Sequence, residues 1–377
     1  MTAPKYLFVD DAIGDGGDAD QYRKMLTKAD VLDVELIRPD RDRLLVPDAD
    51  LGEVDGFILD INLSDQVAAD GKRFMGTGAG LAQDLRLLQS LGANNGGQRP
   101  RPIVRLCAAQ VFQAYLEGDN STVDIFDLGF SKETIGDHAA IARTKLVALP
   151  AFYADVANCD STSAAKLLGL SEDEYAALHS KFRGELGTEL DRKTHEAASF
   201  ILRELINAPG LLIEESVLAV RLGIDVEKSP GWEAVRKHFE KAQYRGTGGA
   251  AFVRWWNPFL SSTWADLHPT PLFRLTAAQR VEILEDIGFH EIVALTPDAR
   301  SPGEKPWTIS RSTDSELKLP TDPRFAFPLN MPVAPWLDEP VWCLEMAKRN
   351  RNSAKLTADS RLRLQAVLAQ AAKKASG

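Results

Sequence analysis

The chain has 377 residues, 44% hydrophobic and 26% charged, which is too long for one ordinary domain and matches the composition of soluble globular proteins. No run of 18 apolar residues offers a membrane-spanning helix. The three distant cysteines, Cys107, Cys159 and Cys343, exclude a disulfide framework or zinc knuckle. The net charge of −10 lies in residues 1–140, with 14 Lys+Arg against 24 Asp+Glu, whereas 141–377 holds 30 of each sign.

That asymmetry predicts a boundary near 140, with domains over 1–138 and 139–377 and the second divisible near 228. The opening MTAPKYLFVDD has only four apolar residues before acids follow, unlike a signal peptide, so a cytoplasmic location is expected.

In chain order, Tyr6-Leu7-Phe8-Val9 reads as a buried parallel strand ending in Asp10-Asp11. Gly14 to Gly17 form a loop before a helix from Asp18. Val54 to Leu63 contains DGFILDINL, a second buried strand that carries Asp60 at its end. Helical periodicity runs over Gly80 to Leu91. Pro102 to Leu106 is a third strand, ending at Cys107-Ala108, and Val123 to Phe130 a fourth, followed by Ser131-Lys132-Glu133. Strands alternating with helices predict an α/β fold with a doubly wound parallel sheet, whose ligands bind at the carboxyl ends of the strands. Asp10, Asp11, Asp60, Cys107 and Lys132 fall at such ends.

Three carboxylates on one spot repel unless a cation lies among them, and hard oxygen donors suit Mg²⁺. A lysine facing the same point neutralises charge on a transferring phosphoryl group, and a carboxylate can act as the nucleophile. FVDD, DGFILDINL, RPIVRLCA and DLGFSKE together resemble the response-regulator receiver family over about residues 5–135. The resemblance implies a flavodoxin-like sheet, Mg²⁺ as cofactor and Asp60 as phosphoacceptor. It also implies Asp10 and Asp11 as the acidic metal-binding pair, Asn62 as the backbone-carbonyl metal ligand and Lys132 as the family's lysine.

The departures are specific. The family's switch Ser or Thr is Cys107, a poor hydrogen-bond donor. The usual proline after the lysine is Glu133, and Phe126 stands nearest to the switch aromatic. Ser64 to Gly80 is longer and richer in glycine than the family's loop. Both a working phosphoacceptor and a pseudo-receiver acting as a docking module stay open on these residues.

Other motifs carry less. Gly76-Thr77-Gly78-Ala79-Gly80 lacks the preceding strand of a dinucleotide loop and reads as a flexible helix entrance. Gly14 to Asp20 lacks the order of a calcium loop, and six histidines show no metal spacing.

The second part reads as mostly helical: His138–Val156, Ser171–Leu186, Thr188–Ala208, Leu211–Leu222, a start at Ser229-Pro230-Gly231-Trp232, Leu275–Ile287 and Ala354–Lys374. Residues 296–341 form an irregular insert rich in proline. All seven tryptophans lie between 232 and 342, favouring an aromatic core, with Arg254-Trp255-Trp256-Asn257-Pro258-Phe259 as the segment chosen for a recognition surface. Residues 348–374 hold eight basic residues and one acid, Asp359, read as a solvated helix.

The leading expectation is a signalling regulator. A histidine kinase or phosphotransfer protein acts on the receiver, which controls an effector that binds a downstream protein, with no membrane partner. The alternatives are a DNA-binding regulator, which the neutral effector charge argues against, and an effector enzyme using Asp266 and His268.

Overall fold

The computed structural model describes residues 2–14, 17–63, 74–108, 125–312 and 314–376, with side chains described up to residue 370. It divides into two compact units, residues 1–203 with 245–252, and residues 204–244 with 253–377.

The first unit is an α/β domain. Its strands are β1 (Lys5–Val9), β2 (Asp33–Ile37), β3 (Gly56–Leu59), β4 (Ile103–Cys107) and β5 (Leu128–Ser131). They form one parallel sheet in the order β2-β1-β3-β4-β5, the flavodoxin-like doubly wound order. Strand β2 was absent from the sequence expectation. Its DVELI alternates polar and apolar residues, as an edge strand does, while β1, β3 and β4 are near-continuous apolar runs. Residues 123–124 of the expected last strand lie outside the described residues, and β5 begins at Leu128.

Side-chain alternation gives the sheet two apolar faces. Leu7, Val9, Phe57, Leu59, Ile103 and Cys107 pack with Leu81, Ala82 and Leu85 of α2 (Gly78–Leu91). Helices α1 (Ala19–Leu26) and α3 (Ile135–Ala157) pack together, and the Tyr6 hydroxyl of β1 donates to Leu146 O of α3 at 2.8 Å. Thus α3, which begins at Ile135, belongs with the sheet, and the first unit runs on past the boundary expected near 138.

Helices α4 (Ser180–Leu190) and α5 (Thr194–Ile201) follow, α5 packing on both α3 and α4. The expected single helix over Thr188–Ala208 is broken at 191–193, and a π-helical turn, Leu202–Ile206, continues α5. Segment 245–252 returns to this unit. Thr247 N donates to Leu167 O at 2.8 Å, Thr247 Oγ1 donates to Asp155 Oδ2 at 2.8 Å, and Lys145 Nζ lies 5.5 Å from the Phe252 ring centroid.

The second unit carries helices α6 (Glu215–Leu222), α7 (Trp232–His238), α8 (Asn257–Ala265), α9 (Ala277–Asp286), α10 (Leu344–Arg349) and α11 (Ala358–Ser376). Short antiparallel pairs join Leu212–Ile213 with Trp255–Trp256, Thr308–Ile309 with Pro320–Thr321, and Phe327–Pro328 with Val341–Trp342. In the segment chosen as a recognition surface the two tryptophans are core, while Arg254, Asn257, Pro258 and Phe259 are half-buried. Trp255 and Trp256 are each 1% exposed, and Arg254 Nε is held by Ile206 O at 2.8 Å. Trp232, Trp264, Trp336 and Trp342 are also buried, while Trp307 is half-buried with the Arg221 guanidinium 4.7 Å from its ring centroid.

Ser229 does not cap α7. Its hydroxyl donates to Asp225 O and accepts from Val293 N, and Gly231 stands at the cap. Thr276 does cap α9, in a reciprocal pair with Gln279.

Candidate phosphoacceptor site

The site follows from strand register. Val9 of β1 pairs with Leu59 of β3, and Asp60 N donates to Val9 O at 3.0 Å, so the next residues, Asp10 and Asp60, emerge side by side. Cys107 of β4 pairs with Ser131 of β5, and Lys132 N donates to Cys107 O at 2.9 Å. β1 and β3 are also where the chain's strand order reverses, the crevice at which open α/β sheets bind ligands.

Asp10, Asp11 and Asp60 are all buried, and each offers a carboxylate oxygen within 4.8 Å of the others. Lys132 Nζ bridges two of them, 2.9 Å from Asp10 Oδ2 and 3.0 Å from Asp60 Oδ2. The opposite oxygens are held by backbone amides: Asp10 Oδ1 accepts from Ala12 N and Asp60 Oδ1 from Ile61 N, both at 2.8 Å. Tyr22 of α1 presents its ring to Lys132, with Nζ 5.7 Å from the centroid. Asn62 lies exposed two residues beyond Asp60, and Phe126 is buried in the apolar cluster that includes Cys107.

Burial pushes the Asp60 carboxyl up to about 6, aided by Asp10 and opposed by Lys132 and the Ile61 amide. Burial works against the Lys132 ammonium, but Asp10 and Asp60 outweigh it and its pKa rises. The Cys107 thiol is pushed up to about 11, chiefly by burial and also by Asp60 and Glu133, against Arg105 and Lys132. It therefore stays a neutral thiol near pH 7, and Glu133 accepts from Ser131 Oγ beside it.

The donor set fits a hard divalent cation. Among the described residues it consists of carboxylate oxygens without imidazole or thiolate, with Lys132 shared between Asp10 and Asp60. Asp10, Asp11 and Asp60 would hold such an ion.

Two features of the site escaped sequence reasoning. Gly78, read as part of a flexible entrance, starts α2, whose first turn is capped by Thr77 Oγ1 accepting from Gly80 N at 3.1 Å. Gly78 N donates to Ile61 O at 2.9 Å, and a Cβ on Gly78 would fall 1.8 Å from Asp60 O, so the helix end is seated on the backbone of Asp60 itself. Residues 64–73 of the long loop lie outside the described residues. The other is Arg38, just beyond β2, which reaches the loop of Asp10 and Asp11.

Elsewhere, His268 Nδ1 accepts from Thr270 N at 3.1 Å in a local turn, and Asp266 stands at the C-terminal end of α8, where its backbone N–H closes the last turn. Comparison with family models, with curated proteins and with solved structures gives no match for this chain.

Proposed function

We propose that the first unit is a receiver-type phosphoacceptor switch in which Asp60 takes a phosphoryl group from a histidine kinase or phosphotransfer protein. The observation that carries this reading is the Lys132 bridge between Asp10 and Asp60 inside a buried cluster of three acids at the strand-order reversal. An Asp60 carboxylate oxygen attacks phosphorus, the bond to the donor nitrogen breaks, and its electron pair leaves with the donor imidazole. Lys132 offsets charge on the phosphoryl oxygens, and the amide of Ile61 keeps Asp60 oriented. Bound Mg²⁺, held by Asp10, Asp11 and Asp60, would supply further neutralisation of the phosphoryl charge.

The second unit, residues 204–244 with 253–377, is read as the effector that this switch controls through a downstream protein. The balance of 30 basic and 30 acidic residues over 141–377 favours a protein partner over nucleic acid. No helix of the described residues is long and apolar enough to cross a membrane.

The test is intact mass spectrometry after incubation with Mg²⁺ and acetyl phosphate, beside Asp60→Asn. A single phosphoryl adduct on the native chain, absent from the variant, is expected. No adduct under conditions where a known receiver is labelled would overturn the phosphorylation reading.

One observation favours a second reading. Cys107, buried and neutral, stands where the resemblance implies a hydroxyl donor to the phosphoryl group. A pseudo-receiver that docks a partner without phosphorylation fits that residue, and Asp60→Asn would then leave partner binding unchanged.

A further inference from the structure

Arg38 follows β2 directly and lies at the same edge of the sheet as the acids. Its Nη2 donates to Ile13 O at 2.6 Å and its Nη1 to Asp11 O at 3.4 Å. Both carbonyls belong to the loop that opens with Asp10 and Asp11. Within that loop Asp10 Oδ1 accepts from Ala12 N, and Ile13 N donates to Asp11 O at 2.9 Å. The Asp11 carbonyl is therefore gripped from inside by the loop and from outside by the guanidinium. A planar fork with fixed donors suits two adjacent carbonyls in a way a single ammonium does not.

We infer that Arg38 is a positioning residue for the metal-binding acids: its fork sets the backbone on which Asp11 converges with Asp10 and Asp60. The inference rests on the metal reading given above. It makes a prediction of sign that a purely electrostatic role would reverse. Removing a positive charge near three carboxylates strengthens cation binding, while freeing the loop that presents two of them weakens it. The charge effect at an exposed guanidinium is screened by salt; the loop effect is not.

Mn²⁺ binding to the full chain, followed by electron paramagnetic resonance at low and high salt, separates the two. The chains compared are the native protein, Arg38→Met, Arg38→Lys and an Asp11→Asn control, with circular dichroism to verify folding. Arg38→Met is expected to weaken Mn²⁺ binding about tenfold, the lower range for an outer residue that orients a ligand. Arg38→Lys, which keeps the charge and loses the fork, falls between Met and native.

Amide exchange of Ala12 to Gly14 in the metal-free protein is expected to quicken in Arg38→Met. Binding that is unchanged or tighter in Arg38→Met overturns the inference and leaves the metal reading intact. If the native chain shows no Mn²⁺ binding sensitive to Asp11→Asn, the metal reading fails. The exchange experiment then decides on the clamp alone: faster exchange supports it, and unchanged exchange overturns it.

Discussion

The Tyr6 hydroxyl donates to the carbonyl of Leu146, the acceptor that Pro150, four residues on within α3, has no N–H to reach. A proline inside a long helix thus has its orphaned carbonyl answered from the sheet, and the bond ties β1, the strand that ends in Asp10, to α3. Burial, with Asp127 and Asp55, holds the Tyr6 phenol well above its usual pKa, so the donor proton persists into alkaline solution. Tyr6→Phe is expected to cost about 1–2 kcal/mol in urea unfolding, because a buried carbonyl loses its partner. In a Pro150→Ala background the new amide supplies the missing donor, and the cost of Tyr6→Phe should shrink. Equal costs in both backgrounds would count against the coupling.

Gly78 is predicted to be intolerant of even one methyl group. Its Cβ would meet the backbone oxygen of Asp60, not a mobile side chain, so either α2 or the Asp60 segment must move. Gly78→Ala should cost about 1–3 kcal/mol from overpacking and also impair Mn²⁺ binding. Gly80→Ala serves as the control, because the nearest atom to its Cβ would be Thr77 Oγ1 at 3.6 Å. Similar losses in both variants would refute the seating of α2 on Asp60.

His195 gives the first unit an acid-sensitive point away from the site. Burial, then the charges of Arg86 and Lys193, lower its pKa from 6.5 to about 4. Between those values the unfolded chain binds the proton and the folded one does not, so stability rises with pH through that window and is lost as pH falls. His195→Gln removes this titration, and its stability should fall less steeply from pH 6.5 to 4 than that of the native chain. Parallel curves in urea titrations across that range would show that His195 is not responsible.

The thiols should react in order of exposure. Cys107 and Cys343 are buried, and the Cys107 thiol is pushed up to about 11, while Cys159 is half-buried at the end of α3. A colorimetric thiol reagent at pH 8 is expected to label Cys159 well before the other two, with all three reacting in urea. Rapid labelling of Cys107 in the folded protein would contradict its neutral, enclosed setting.

How much of this was legible in the chain depended on burial and on sequence distance. β1, β3 and β4 announced themselves because strands covered on both faces are continuous apolar runs, and the acids stood at their ends. β2 did not, since an edge strand keeps polar side chains such as Asp33 and Glu35. Losing β2 also hid Arg38. The grouping of Asp10, Asp60 and Lys132 was readable because each follows a strand of the alternating pattern, whose carboxyl ends a parallel sheet brings to one edge.

A buried network was invisible for the same reason. Asp127 accepts from Arg86 Nη2 at 2.8 Å and from Tyr153 OH at 2.7 Å, joining α2 to α3 across 41 and 26 residues of chain. The twin tryptophans carry no local mark of burial, and Arg254 beside them is a donor to backbone carbonyls.

The return of residues 245–252 to the first unit changes what counts as a separable piece of this protein. A domain attached by one tether can be excised, fused elsewhere or exchanged between chains by a single cut. Here the polypeptide passes from one unit to the other three times, at 203/204, 244/245 and 252/253. A fragment ending at 203 would lack Thr247, the partner of Leu167 O and Asp155, and would present an incomplete surface where its own chain should lie. Transplanting the first unit into another protein therefore requires carrying that eight-residue segment along, from a stretch of sequence that on its face belongs to the other unit.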